Sequence, residues 1–254
     1  MGISTSRPRT AAAIPFHPRL FRIGDMPRDI AVARSTGFPE LDRELPGRGW
    51  PCAGLIEIGC DASGIGELTL LLNTPAGDEA HALWVLPPAH TKNLPWIPYA
   101  PGLAARHVAL ERLALVRADT QDDALWTAEQ ALRSGACETV MLWLGGHHLA
   151  PLSLRRLQQA AMTGNAALFA MRPLSSLTSP SPAVLRLGLH AEARGRLRID
   201  LIKRRGLPDG KSLTLTPRQF TCLTRDQITT RDRMPEAVRW LNQLATRSLV
   251  MAER

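Results

Sequence analysis

GLIEIGCDASGIGELTLLL, residues 54–72, is the stretch whose reading decides the fold. GLIEIG (54–59) is a short apolar run, which reads as a buried strand. Leu68, Leu70, Leu71 and Leu72 then give residues 67–73 the character of a helix. Between them lies the loop G-C-D-A-S-G-I-G, Gly59 to Gly66. A strand, a glycine-rich loop and a helix is how phosphate-binding loops are built, because backbone N–H groups and the helix N-terminus together attract an anion. A working loop reads GxxxxGK[ST]. Gly59 and Gly64 stand at the right spacing, but Ile65 replaces the lysine and Gly66 the Ser/Thr. The lysine would place charge on the terminal phosphates and the hydroxyl would hold magnesium. Isoleucine and glycine do neither, and Asp61 adds a negative charge that repels a triphosphate.

Downstream the same alternation continues. ALWVL (82–86), LALV (113–116), TVMLWL (139–144) and AALFAM (166–171) are further apolar strands. A helix is expected over 98–107, made irregular by Pro101 and Gly102, and another over 151–163 with Leu154, Leu157 and Ala161 on one stripe. A third begins after Thr120, which forms an acidic variant of the capping box with Asp123. It carries Ala124, Ala128, Ala131 and Leu132 at helical spacing and stops at Ser134-Gly135. Continuous apolar strands are buried on both faces, and their alternation with helices predicts an α/β fold with a mainly parallel sheet flanked by helices. Trp84 and Trp143 in strand runs, and Trp126 on a helix, read as core residues, while Trp96 is unassigned.

After Arg172-Pro173 the character changes to a Ser/Pro loop, then to AVLRLGLH (183–190) and RLRIDLIK (196–203) around Arg194-Gly195. This predicts a β-hairpin with one apolar face: Leu185, Leu187 and Leu189 on the first strand, Leu197, Ile199 and Leu201 on the second. The opposite face would carry Arg186 and His190, then Arg196, Arg198 and Asp200, with Arg204 following in phase. Arg186, Arg196, Arg198, Lys203, Arg204 and Arg205 are the candidate DNA- or partner-binding set, since a basic ribbon can track a phosphate backbone. The competing readings are a solvated outer face and contact with an acidic protein surface. A terminal helix is expected from about Pro235. The chain thus divides into an N-terminal arm (1–33), an α/β core (34–173) and a basic C-terminal region (174–254).

The charge follows that division. Of 254 residues, 31 are Lys or Arg and 23 Asp or Glu, a net +8. Residues 51–150 carry a net −6, and residues 151–254 carry 18 basic against 7 acidic side chains. The basic third suggests a polyanionic partner. No apolar run approaches the ~20 residues needed to span a bilayer, so no membrane partner is expected. The cysteines at 52, 60, 137 and 222 match no zinc or redox spacing. With no apolar leader in MGISTSRPRTAAAIP, a reducing cytoplasm is the expected compartment. His147-His148 lacks a third ligand at local spacing and reads as a loop pair.

Ser35, Thr36, Gly37, Leu41 and Asp42, upstream of the glycine-rich loop, complete a wider pattern. An STG-x-x-x-LD stretch before a strand and a phosphate loop resembles the opening of the RecA-type recombinase core. LALVRADTQDDALWTAEQALRSGACETVMLWL (113–144) continues the likeness over a strand, a helix and the Walker B strand, so that residues 35–172 are covered. WVLPP (84–88) and the late LRIDLIKRRGLPDGKSLTL (197–215) narrow it: the chain resembles ImuA, a bacterial SOS-linked, translesion-synthesis-associated branch of the RecA/SulA-like superfamily. The resemblance implies a RecA-like P-loop core with a C-terminal β-hairpin and helix extension. It also implies two partners, an inactive Y-family polymerase-like protein and an error-prone DnaE-type DNA polymerase; the basic C-terminal region would contact single-stranded DNA or one of these. The N-terminal arm would either mediate self-association, as in recombinase cores, or fold back on the core. Carried across residue by residue, the chemistry is stripped. Trp143 stands for the magnesium-linked aspartate, Pro88 for the water-activating glutamate and Arg172 for the nucleotide-sensing glutamine. No cofactor and no ATP hydrolysis are expected, although the loop N–H groups leave nucleotide binding open. The alternative within the superfamily is a SulA-like inhibitor of the tubulin-like division protein.

Overall fold

The computed structural model describes residues 32–60, 62–72, 81–87, 98–104, 106, 108–145, 149–204 and 210–216. In chain order the elements are β1 (Ala33–Arg34), α1 (Pro39–Asp42), β2 (Trp50–Pro51), β3 (Gly54–Gly59), α2 (Glu67–Leu72), β4 (Ala82–Leu86), α3 (Ala100–Ala104), β5 (Leu113–Arg117), α4 (Gln121–Ser134), β6 (Thr139–Trp143), α5 (Pro151–Thr163), β7 (Ala167–Arg172), β8 (Leu185–Glu192), β9 (Arg196–Arg204) and β10 (Lys211–Leu215). Eight strands form one sheet in the order β10-β9-β8-β3-β7-β6-β4-β5. From β8 to β5 all neighbours are parallel. β9 and β10 add antiparallel. The sheet is therefore mixed and mostly parallel, flanked by helices, and the predicted hairpin is its continuation rather than an appendage.

Two apolar layers hold it together. Alternate residues of each strand point to opposite faces. Ile56, Ile58, Trp84, Met141, Phe169 and Met171 pack with α2 and α3 on one side. Leu55, Val85, Val140, Leu142, Leu168 and Ala170 pack with α4 and α5 on the other. β3 is buried along its whole length, as a strand covered on both faces must be. Cys60 and Cys137 pack against these two layers respectively, and burial pushes the Cys137 thiol pKa up.

Thr120 caps α4 as the sequence predicts, its hydroxyl oxygen accepting from Asp123 N at 3.1 Å. Asp123 answers by accepting from the Thr120 hydroxyl at 2.7 Å. Gly135 closes the helix in the left-handed region, φ 67°.

Three expectations change. The helix expected over 98–107 is the shorter α3. Trp126 is not core: it is 62% exposed, whereas Trp84 and Trp143 are buried and tilted against each other with ring centroids 5.5 Å apart. Seen down the axis, Trp126 lies about 200° from Ala124, on the side of α4 turned from the sheet. The third concerns the hairpin and is taken up below. The arm through residue 31, Trp96, His147-His148 and the terminal helix lie outside the described residues.

Candidate functional site

The glycine-rich loop leaves the carboxyl end of β3 as the sequence requires, but one of its N–H groups is already taken and Ile65 packs inward. Gly64 and Gly66 take φ of 79° and 109°, a backbone that side chains resist. Ile65 turns into the apolar layer with Leu68 and Leu72. Its position thus contributes packing where a lysine would contribute charge. Glu67, the first residue of α2, is 7% exposed. Its Oε1 accepts from Gly64 N at 3.0 Å. A backbone N–H of the kind a phosphate would use is therefore occupied by the chain's own carboxylate. Gly59 is tight for another reason. A Cβ there would sit 2.4 Å from Leu177 Cδ1, because the segment after β7 folds down over the end of β3.

The basic hairpin does not form the single Arg-lined face that alternation predicts. Arg196 and Arg198 are exposed or half-exposed, with Arg196 Nη2 at 3.5 Å from Glu192 and Arg198 Nε at 3.4 Å from Asp200. His190 meets Asp200 at 2.8 Å on the same face. Arg186 is buried, because β8 pairs with β3 and is covered there. Lys203 donates to the Ser181 carbonyl at 2.9 Å. Arg204 is buried on the opposite face. The register shifts between Arg186 and Leu187, so that Arg186 pairs with Lys203 but Leu187 with Leu201. Ile202 is the extra residue of this β-bulge. The bulge reverses the phase, bringing Arg204 opposite Leu185, where its Nη1 donates to the Glu44 carbonyl at 3.1 Å. Arg205 lies outside the described residues.

What alternation hides, the sheet brings together. Glu57, at the centre of β3, is fully buried between Arg172 at the end of β7 and Arg186 of β8. Arg172 Nη1 donates to Glu57 Oε1. Arg186 Nε stands 2.8 Å from Glu57 Oε2, off the hydrogen-bond axis, so this contact is an ion pair. Two guanidinium groups share one carboxylate, and the cluster keeps a positive charge. Sequence reading met Arg172 only as a missing glutamine and missed Glu57 altogether. The available signal was a lone carboxylate in the apolar run GLIEIG, since an unpaired charge is not buried.

Among the described residues no group of three or more His, Cys, Asp or Glu could hold a metal ion, and no helix is long and apolar enough to cross a membrane. No family model matches the chain, and no curated protein matches it.

Proposed function

We propose that this chain is a non-catalytic, RecA-like accessory protein of SOS-induced translesion DNA synthesis, an adaptor between DNA and an error-prone polymerase complex in the bacterial cytoplasm. The observation that carries the reading is the loop between β3 and α2, where Glu67 takes the Gly64 N–H and Ile65 is packed inward. A phosphate loop whose anion is its own side chain supports retention of the fold for a purpose other than hydrolysis. The mostly parallel sheet is compatible with a RecA-like core. The STG-x-x-x-LD stretch and residues 197–215 support the branch. The partners are the inactive Y-family polymerase-like protein and the DnaE-type polymerase, with single-stranded DNA. The surface offered to a polyanion is the hairpin turn, where Arg194 and Arg196 are exposed and Arg198 adjoins them.

The test is a pull-down of both polymerase-like partners with the full chain, alongside single-stranded DNA binding by fluorescence anisotropy at several salt concentrations. The triple variant Arg194→Ala, Arg196→Ala, Arg198→Ala is expected to weaken DNA binding. It also flattens the log–log salt slope by about 0.7 for each phosphate that is no longer neutralised. Hydrolysis of ATP is expected at background, and to stay there in Ile65→Lys with Gly66→Thr, because Glu67 still takes the Gly64 N–H. ATP turnover above background in the unaltered chain, or capture of neither partner with no DNA binding, overturns the reading. So does filamentation on overproduction together with capture of the division protein.

A further inference from the structure

A cavity of about 740 Å³ opens between the first turns of α5 and the crossover from β7 to β8. It lies near the carboxyl end of β7, where open α/β sheets characteristically hold ligands. Its size falls within the usual range for small-molecule sites. Arg172 forms part of its lining and Arg155 another part. Ser175, Ser176, Ser179 and Ser181 line the crossover side, and no carboxylate lines the cavity among the described residues.

Three facts give this cavity a sign. Arg172 is 8% exposed, so its charge is largely withdrawn from water. Its carboxylate partner, Glu57, is divided between Arg172 and Arg186 and cannot neutralise both. Arg155 stands exposed on the first turns of α5, whose N-cap residue Ala150 brings no side-chain acceptor to the helix start. The wall opposite is held in place. Ser176 donates to the Pro173 carbonyl at 2.7 Å, Lys203 donates to the Ser181 carbonyl at 2.9 Å, and Pro180 and Pro182 restrict the backbone. Such a wall gives up little entropy when it binds. Ser175 and Ser179 are exposed on it.

We propose that this cavity binds the phosphate monoester dianion of a small molecule, with a nucleoside monophosphate as the size class. Arg172, held by Glu57, lends its charge to the wall, and the exposed Arg155 supplies the fork suited to bidentate contact with phosphate oxygens. Serine hydroxyls donate to the remaining oxygens. The site adjoins the start of the Gly59–Gly66 loop, since Arg172 pairs with Gly59 and Leu177 covers it; it needs neither DNA nor a polymerase, so its test is separate from that of the adaptor reading.

Isothermal titration calorimetry of the full chain with inorganic phosphate and with adenosine 5′-monophosphate tests it. Saturable binding of at least one is expected, weakened roughly tenfold in Arg155→Ala, as removal of one charge-assisted hydrogen bond implies. Ser179→Ala weakens it less. Arg117→Ala, on the edge strand β5, leaves it unchanged. Tighter binding of the nucleotide assigns the ester as ligand, and equal binding assigns free phosphate. Arg155 and Ser179 are surface residues, so their variants are expected to fold, with unfolding midpoints equal to that of the unaltered chain. No saturable binding of either probe, equal affinity in Arg155→Ala, or binding of a single-stranded oligonucleotide alone overturns the proposal.

Discussion

At Glu57 one carboxylate with no exposed surface meets two guanidinium groups that are themselves almost buried. Desolvating three charges is costly, and only their mutual attraction and hydrogen bonds offset it. Removing the shared partner is therefore far worse than removing one arginine. Glu57→Gln keeps the volume but leaves two buried cations facing each other, and is expected to destabilise the fold by about 3–5 kcal/mol, a large share of a domain's usual stability. Arg172→Gln leaves Glu57 with Arg186 and is expected to be the milder change. Urea unfolding of the two variants checks the order. Glu67 is a carboxylate of a different kind. It sits at the start of α2, where the helix dipole favours a negative charge, and it takes an N–H that would otherwise need a partner.

At the scale of elements, local signals succeed where the deciding interaction is local. The Thr120–Asp123 cap closes over three residues, and it forms as the sequence predicts. Thr120→Ala is expected to lower stability by about 1 kcal/mol, read as a shift in the urea midpoint without a change in slope. The strands of the core were legible for the same reason, since an apolar run such as TVMLW needs cover on both faces whatever its neighbours. Trp126 was misread as core although the signal was present: the stripe of Ala124, Ala128 and Leu132 places it on the far side of α4. β9 is the counter-example. Strict alternation places Arg204 with Arg198 and Asp200, and the bulge at Ile202 places it with Leu201. A one-residue insertion relative to the partner strand has no signature in the strand's own sequence.

For the molecule as a whole, the basic far end of the sheet is tied to the opening of the chain by Glu44. Its carboxylate accepts from Lys211 of β10 at 2.6 Å and stands 3.5 Å from Arg204. The Lys211 hydrogen bond, against some desolvation and with the nearby charges of Lys211, Arg204 and Arg43, holds the Glu44 pKa below its ordinary 4.5. A carboxylate with a lowered folded pKa adds stability that is complete above its unfolded value and is lost as pH falls through the folded one. Stability is therefore expected to drop on acidification below about pH 4.5. Glu44→Gln removes this part of the pH dependence while leaving the neutral-pH slope unaltered. Denaturation midpoints between pH 6 and pH 3 in the two chains measure it. The group is partly exposed, so the effect is modest and weakens with salt.

The sequence by itself determined the α/β class, the order of strands and helices from residue 54 through residue 204, the cap of α4 and a glycine-rich loop with Ile65 and Gly66 where a lysine and a hydroxyl would bind phosphate. Each of these depends on a residue's type and its near neighbours along the chain. Only the tertiary structure decided which charges meet. Glu57, Arg172 and Arg186 are separated by more than a hundred residues from first to last, and become neighbours because β7 and β8 flank β3. The fate of the basic hairpin was decided in the same way. Its arginines divide between a solvent face, a buried ion pair and a contact with Glu44, because a bulge and a covering strand set their environment. Composition counts charges, but the register of the sheet determines which of them remain available to a partner.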